Sequence, residues 1–225
     1  MTPPSTVWPG DMETKPAPDP LGRIQALVNT VERPDGADRL ARLDDARPWL
    51  IATALVAPDI DVTFDDLALV RDVREGFRSL LIHNAGGPAP TADALTPLRE
   101  VAAAGVARPD VGDDGLVRLQ AVGDSLAARL GTLLFIVRDA QRDGSWSRLK
   151  ACGNDECGWA FYDRSRNHGG TWCEMSSCGN KLKNRDFRAR RRADGGGARR
   201  RADGGGARRR AEGGGARAAS AGASG

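Results

Sequence analysis

No stretch of this chain stays apolar for long: the longest run, LLFIV at Leu133 to Val137, falls far short of the roughly 20 residues a membrane helix needs. The first twenty residues, MTPPSTVWPGDMETKPAPDP, show no basic start, no apolar stretch and no small-residue cleavage pattern. No signal peptide is expected, and the protein is expected in the cytoplasm. A glycine-rich phosphate loop is missing, as is any serine or cysteine in a nucleophile motif. Of the 2 histidines, His83 sits in a helical pattern, SLLIHNAGG, and suits a helix end better than a general base. His168 stands in a glycine-rich turn, where exposure is expected. These absences point away from an enzyme.

The net charge of +3 divides unevenly. Residues 1–148 carry 16 Lys and Arg against 22 Asp and Glu, and residues 149–225 carry 17 against 8. An acidic body therefore precedes a basic end, a split that suits a polyanionic partner for that end. Residues 1–20 read as a Pro-rich disordered lead-in.

From Ala37 to about Gln141 the pattern is mainly helical. FDDLALVRDVREGFRSLLIHNAGG sets Leu67, Val70, Val73, Phe77, Leu80 and Leu81 at three- and four-residue steps and stops at Gly86-Gly87. TADALTPLREVAAAG opens on Thr91 as an N-cap. LVRLQAVGDSLAARLGTLLFIVRDAQ reads as one longer periodic run, weakened by Gly123 and Gly131. ARPDVGDDGLVRL between them reads as a turn with short extended flanks. RIQALVNTV fits a strand or a short helix equally well. At the other end RRRADGGGA fills 190–198 and again 199–207, and RRRAEGGGA fills 208–216. Three glycines per repeat and no apolar residue beyond alanine cannot build a core, so disorder is expected from about 194. A flexible polycation and a repeat expansion without a role are both open readings.

All 4 cysteines lie within 27 residues. Cys152 and Cys157 form one C-x4-C knuckle, and Cys173 and Cys178 form a second. Two local pairs of soft thiolates suit one tetrahedral Zn2+, and four protein ligands leave no open position for a catalytic water. Disulfides are the main alternative, and an iron–sulfur cluster a lesser one. Between the pairs, WAFYD reads as a hairpin arm that turns at Asn167–Gly170 and returns through Thr171 and Trp172, its aromatics serving as a miniature core. After Cys178, GNKLKNRDFRARRR can continue as a helix. On it Lys181, Arg185, Arg188 and Arg192 form one cationic stripe, with Asn180 and Lys183 beside it, and Arg164 and Arg166 add charge on the hairpin.

The pattern C-G-x-x-x-C-G-W-x-F-Y-D-x-S-R-N followed by W-C-x-M-x-x-C-G-N-K resembles the CGNR zinc-finger family over residues 148–192. The preceding helical region, with LVNTV near its start and RLKAC at its end, resembles the ABATE domain that accompanies this finger in bacteria. The resemblance implies a DNA-binding, stress-related transcription regulator, with the four cysteines as zinc ligands and Cys178 to Lys181 as the signature tetrapeptide. Lys181 stands where the family has arginine, so the charge is kept and the two-point fork is lost. NHGGT at 167–171 replaces a more basic turn.

The fold class expected is α+β. A disordered lead-in (1–20) precedes a mainly helical ABATE-like domain (21–147), a small treble-clef-like or zinc-ribbon module (148–193) and a disordered Arg/Gly tail (194–225). The function expected is nucleic-acid binding, DNA first, with an RNA-binding zinc ribbon and a protein-interaction module as alternatives. For the helical domain two roles stand open, homodimer formation and the sensing of a small-molecule effector.

Overall fold

A computed structural model describes residues 8, 11–34 and 36–179. Its longest helix, α3 (Phe64–Asn84), is the spine. The helix starts at a capping box in which the Thr63 side chain accepts from the Asp66 N–H while the Asp66 carboxylate accepts from the Thr63 N–H. The stepped residues Leu67, Val70, Val73, Phe77 and Leu81 are all buried to within 1%. Around α3 pack α1 (Gly22–Val28), α2 (Leu43–Ala52), α4 (Ala92–Ala104) and α5 (Leu126–Asp143). RIQALVNTV thus resolves as a short helix rather than a strand. Thr91 caps α4 by accepting from Ala94 N–H, as the sequence indicates.

Two antiparallel pairs complete the fold. Strands β1 (Val106–Val111) and β2 (Val117–Val122) form a hairpin between α4 and α5. The periodic run expected from Leu116 to Gln141 is therefore two elements. Gly123, at φ +102, turns the chain out of β2 in a conformation that side-chain-bearing residues resist, and Ser125 then caps α5. Strands β3 (Leu149–Ala151) and β4 (Ala160–Tyr162) pair across the first cysteine knuckle. WAFYD therefore pairs backwards with LKA and not forwards with Thr171 and Trp172, because the upstream strand is the one held against α3.

Leu149, Ala151, Ala160 and Tyr162 belong to the same hydrophobic core as α1 and α3. The described residues fall within one compact unit, Met1–Asn180. Helical body and finger therefore share one core. The lead-in departs from expectation. Residues 11–20 form a strap along the finger: Lys15 C=O accepts from Tyr162 N–H at 3.0 Å, and Ala17 N–H donates to Gln25 Oε1 at 2.6 Å. The Arg/Gly tail lies outside the described residues. No helix among those described is long and apolar enough to cross a membrane.

Polar side chains stitch the seam between helices and strands. Asn29, capping the end of α1, accepts from Ala160 N–H at 2.7 Å and donates to Ala160 C=O at 3.0 Å. One turn earlier, Gln25 donates to the same carbonyl at 3.2 Å. Asn84 donates to both Trp146 C=O and Leu149 C=O at 2.9 Å. Arg78, only 2% exposed, donates to Gly158 C=O at 2.6 Å and Val28 C=O at 2.8 Å and pairs with Glu75. Burial weighs against its charge, and the Glu75 carboxylate offsets part of that cost. Among the described residues no buried side-chain N or O lacks a partner.

Arg78→Met would strip two buried carbonyls of their donor and leave Glu75 without this partner, at a cost of about 3 kcal/mol. Arg99→Met, on the exposed face of α4, should stay within about 0.5 kcal/mol of the native protein. Urea unfolding followed by helical circular dichroism measures both.

Candidate metal centre

The four cysteines converge, although 15 residues separate the two knuckles. In the first knuckle the Asn154 carbonyl accepts from Cys157 N–H at 2.8 Å and Gly158 N–H at 3.2 Å, which curls the loop so that both thiols face one side. Asn154 also reaches across to the second knuckle, its Nδ2 lying 3.9 Å from Cys178 Sγ. In the second knuckle Glu174 C=O accepts from Cys178 N–H and Gly179 N–H, both at 3.2 Å, in a wide helical turn over Met175–Gly179. The knuckles are joined by a bond from Gly153 N–H to Thr171 C=O at 2.8 Å.

All four Sγ atoms lie within 4.8 Å of one another. Cys157 and Cys173 are 3.7 Å apart, and Cys173 and Cys178 are 3.8 Å apart. A tetrahedron of sulfurs with Zn–S bonds of about 2.3 Å has edges of about 3.8 Å, so the donor set fits one Zn2+. The thiols are free rather than bridged in disulfides, with Cys152 and Cys178 buried and the other two half-buried. Their crowding splits their acidities. Hydrogen bonds from Cys157 and then Cys173 hold the Cys152 thiol down at about 2, and the same contact with Cys152 pushes Cys157 up to about 12. Cys173 is driven up too, first by Cys152 and then by Cys157. Ionising all four clustered thiols sets like charges against one another, a conflict that a divalent ion bound between them would relieve.

Beside the cage sits a buried ion pair that sequence reasoning missed. Lys150 on β3 donates to Asp163 Oδ2 at 2.9 Å, with the two side chains 6% and 4% exposed. Lys150 also donates to the His168 and Gly170 carbonyls, while Asp163 accepts from Ser165 N–H at 3.0 Å and Gly170 N–H at 2.7 Å. Burial alone would raise the Asp163 carboxyl, but these donors, Ser165 and Lys150 foremost, hold it far below the usual carboxylate range. A Cβ on Gly170 would come within 2.8 Å of that carboxylate, so no larger residue fits there without a shift. The NHGGT turn is thereby fastened inward. The available signal was an unbroken buried pattern, LKA against AFY, in which Lys150 needs an anion.

The other site residues divide. Phe161 is fully buried and Tyr162 nearly so, in agreement with a role as core. Trp159 is half-buried, and its indole N–H donates to Glu13 at 2.9 Å. Arg164 is exposed, but it donates to Pro16 C=O at 2.9 Å and stacks 5.6 Å over the Tyr162 ring. Arg166 and His168 are exposed. His83 is exposed at the end of α3, as the sequence suggests. Asn180, Lys181, Lys183, Arg185, Arg188 and Arg192 lie outside the described residues.

Comparison with known families agrees with this architecture. The family model of the ABATE domain, described as a "putative stress-induced transcription regulator", matches residues 23–142, more than half of the chain. The chain belongs to the ABATE family. In this ABATE protein the model of the CGNR zinc finger then matches residues 148–191, following the ABATE match along the chain. The finger's four cysteines stand close together and are able to hold one zinc ion. No curated protein matches the chain.

Purified without added metal, the ABATE protein should carry close to one zinc per chain by elemental analysis. Cys178→Ser should lose most of it, since three thiolates no longer saturate the ion. A metal-free protein with a native finger would contradict the assignment.

Proposed function

We propose that this protein is a DNA-binding transcription regulator rather than an enzyme, its zinc cage fixing the start of a basic segment that meets DNA phosphates. The observation that carries the reading is the place of Cys178. The fourth ligand lies in the helical turn Met175–Gly179, immediately ahead of NKLKNRDFRARRR. That stretch carries one acid, Asp186, against seven arginines and lysines. A metal that pins the turn positions whatever follows it.

The inward fastening of the aromatics favours duplex DNA over single-stranded RNA. Single-strand binding draws on exposed aromatic faces for base stacking, and here Phe161 and Tyr162 are spent on the core. Arg166 is the hairpin residue best suited to a phosphate, because Arg164 already serves the strap and the Tyr162 ring. Lys181 in the signature tetrapeptide supplies charge without a bidentate fork, so sequence reading is assigned to the arginines further along.

The test uses a chain ending at Ala193, which keeps Arg190 to Arg192 and drops the arginines of the second and third repeats. Contacts from Lys181, Arg185, Arg188 and Arg166 should give a slope of log affinity against log salt near about −3.6 on duplex DNA, and Arg188→Ala should flatten it by about one unit. Tighter binding to single-stranded RNA would overturn the DNA reading. Binding to neither nucleic acid at low salt would make the finger a protein-interaction module.

A further inference from the structure

The β1–β2 hairpin stands outside the shared core. Every residue of β1 is exposed. Residues directly opposite one another share a face, and the register sets Ala107 against Ala121, Pro109 against Leu119, and Val111 against Val117. One face is therefore apolar from end to end, with Val111 68%, Val117 69% and Leu119 37% exposed. The other carries Arg108, Asp110, Arg118 and Gln120 between the pair Val106 and Val122. A two-stranded hairpin is marginal on its own in water and gains stability when its apolar face is covered or its sheet extended.

Hydrogen-bond parity shows which edge is open. Gly112 N–H donates to Leu116 C=O at 2.9 Å, which makes 110/118, 108/120 and 106/122 the bonded pairs. The backbone groups of 107, 109 and 111 on β1, and of 117, 119 and 121 on β2, then point outward. The outward edge of β1 is interrupted by Pro109, which has no N–H to give. The outward edge of β2 has no such block.

We propose that β2 is a dimerisation strand, pairing antiparallel with β2 of a second copy about a two-fold axis at Leu119 to give a four-stranded sheet. A second copy fits because the strand is complementary to itself in that register. Leu119 meets Leu119, Leu116 meets Val122, and Val117 meets position 121. Arg118 meets Gln120, whose Oε1 already accepts from Arg108 at 3.2 Å and has a second lone pair to offer. No like charges face one another. Two arginines and three aspartates leave the hairpin close to balance, with Asp114 already paired to Arg118. An isologous contact of this kind closes at two chains. The two apolar faces become one continuous surface. Dimerisation here uses none of the finger's residues, and it stands whether or not the finger binds DNA.

Sedimentation of the full-length protein tests it. The native chain should sediment as a dimer of 23.9 kDa protomers. Leu119→Lys puts two cations together at the axis and should weaken association at least tenfold, with zinc content and helical circular dichroism unchanged. Leu119→Cys should crosslink to itself under mild oxidation, since opposed residues in a bonded antiparallel pair lie about 5.5 Å apart, within disulfide range. Asp110→Cys, on the far strand, should not. A native chain that stays monomeric at about 100 µM overturns the proposal. So does a dimer that survives Leu119→Lys while Leu119→Cys fails to crosslink, because the interface then lies elsewhere.

Discussion

One side-chain amide closes the seam on which this molecule depends. Asn29 presents its carbonyl to Ala160 N–H and its amide N–H to Ala160 C=O, standing in for the neighbouring strand that β4 lacks. Ala160 is completely buried, so its backbone groups have no water to turn to. Asn29 can do this only at the end of α1, where the helix stops and its side chain is free to face the strand. Gln25, one turn earlier, and Glu13, which accepts from both Asn29 and Trp159, hold it in place.

Other polar links repeat the theme a few residues either side. Arg78 reaches the carbonyl of Gly158, directly after the second ligand, and Asn84 reaches Leu149 at the start of β3. Lys15 donates to Trp172 C=O, directly before the third ligand, and lies 4.9 Å over the Phe161 ring. Both knuckles are thus gripped from outside by residues of the helical part and the strap. Buried polar groups of this kind add little net stability, but each fixes one arrangement, since any other leaves it unpaired. The consequence is a cage whose geometry is set jointly by metal and body.

How much of this was legible varies with the range of the interactions. The cysteine pairs and α3 were legible because their signals are local: spacing, a capping residue, a 3.6-residue period. Asn29 lies inside LVNTV, a stretch noticed for its family likeness, yet nothing local says that its amide meets a backbone 131 residues away. Nothing local marks Arg78 or Lys150 for burial either, and only the fold reveals it. The strap was misread because Pro-rich composition argues for disorder while a few hydrogen bonds to Gln25 and Tyr162 suffice to fix it. The run through Gly123 was misread because β-branched and apolar residues at short spacing satisfy helix and strand alike until a turn is placed.

Metal cage and helical body form one cooperative system joined through Asn29. Linkage makes this measurable, for if zinc binding supports the seam, the seam must support zinc binding by the same free energy. Zinc affinity should be determined by competition with a chromophoric chelator for the native protein and for Asn29→Ala, which removes no ligand. Asn29→Ala should bind zinc at least tenfold more weakly than the native protein. An unchanged zinc affinity in a variant whose helical unfolding is nonetheless destabilised would show the two parts to be energetically independent, and the account would be wrong.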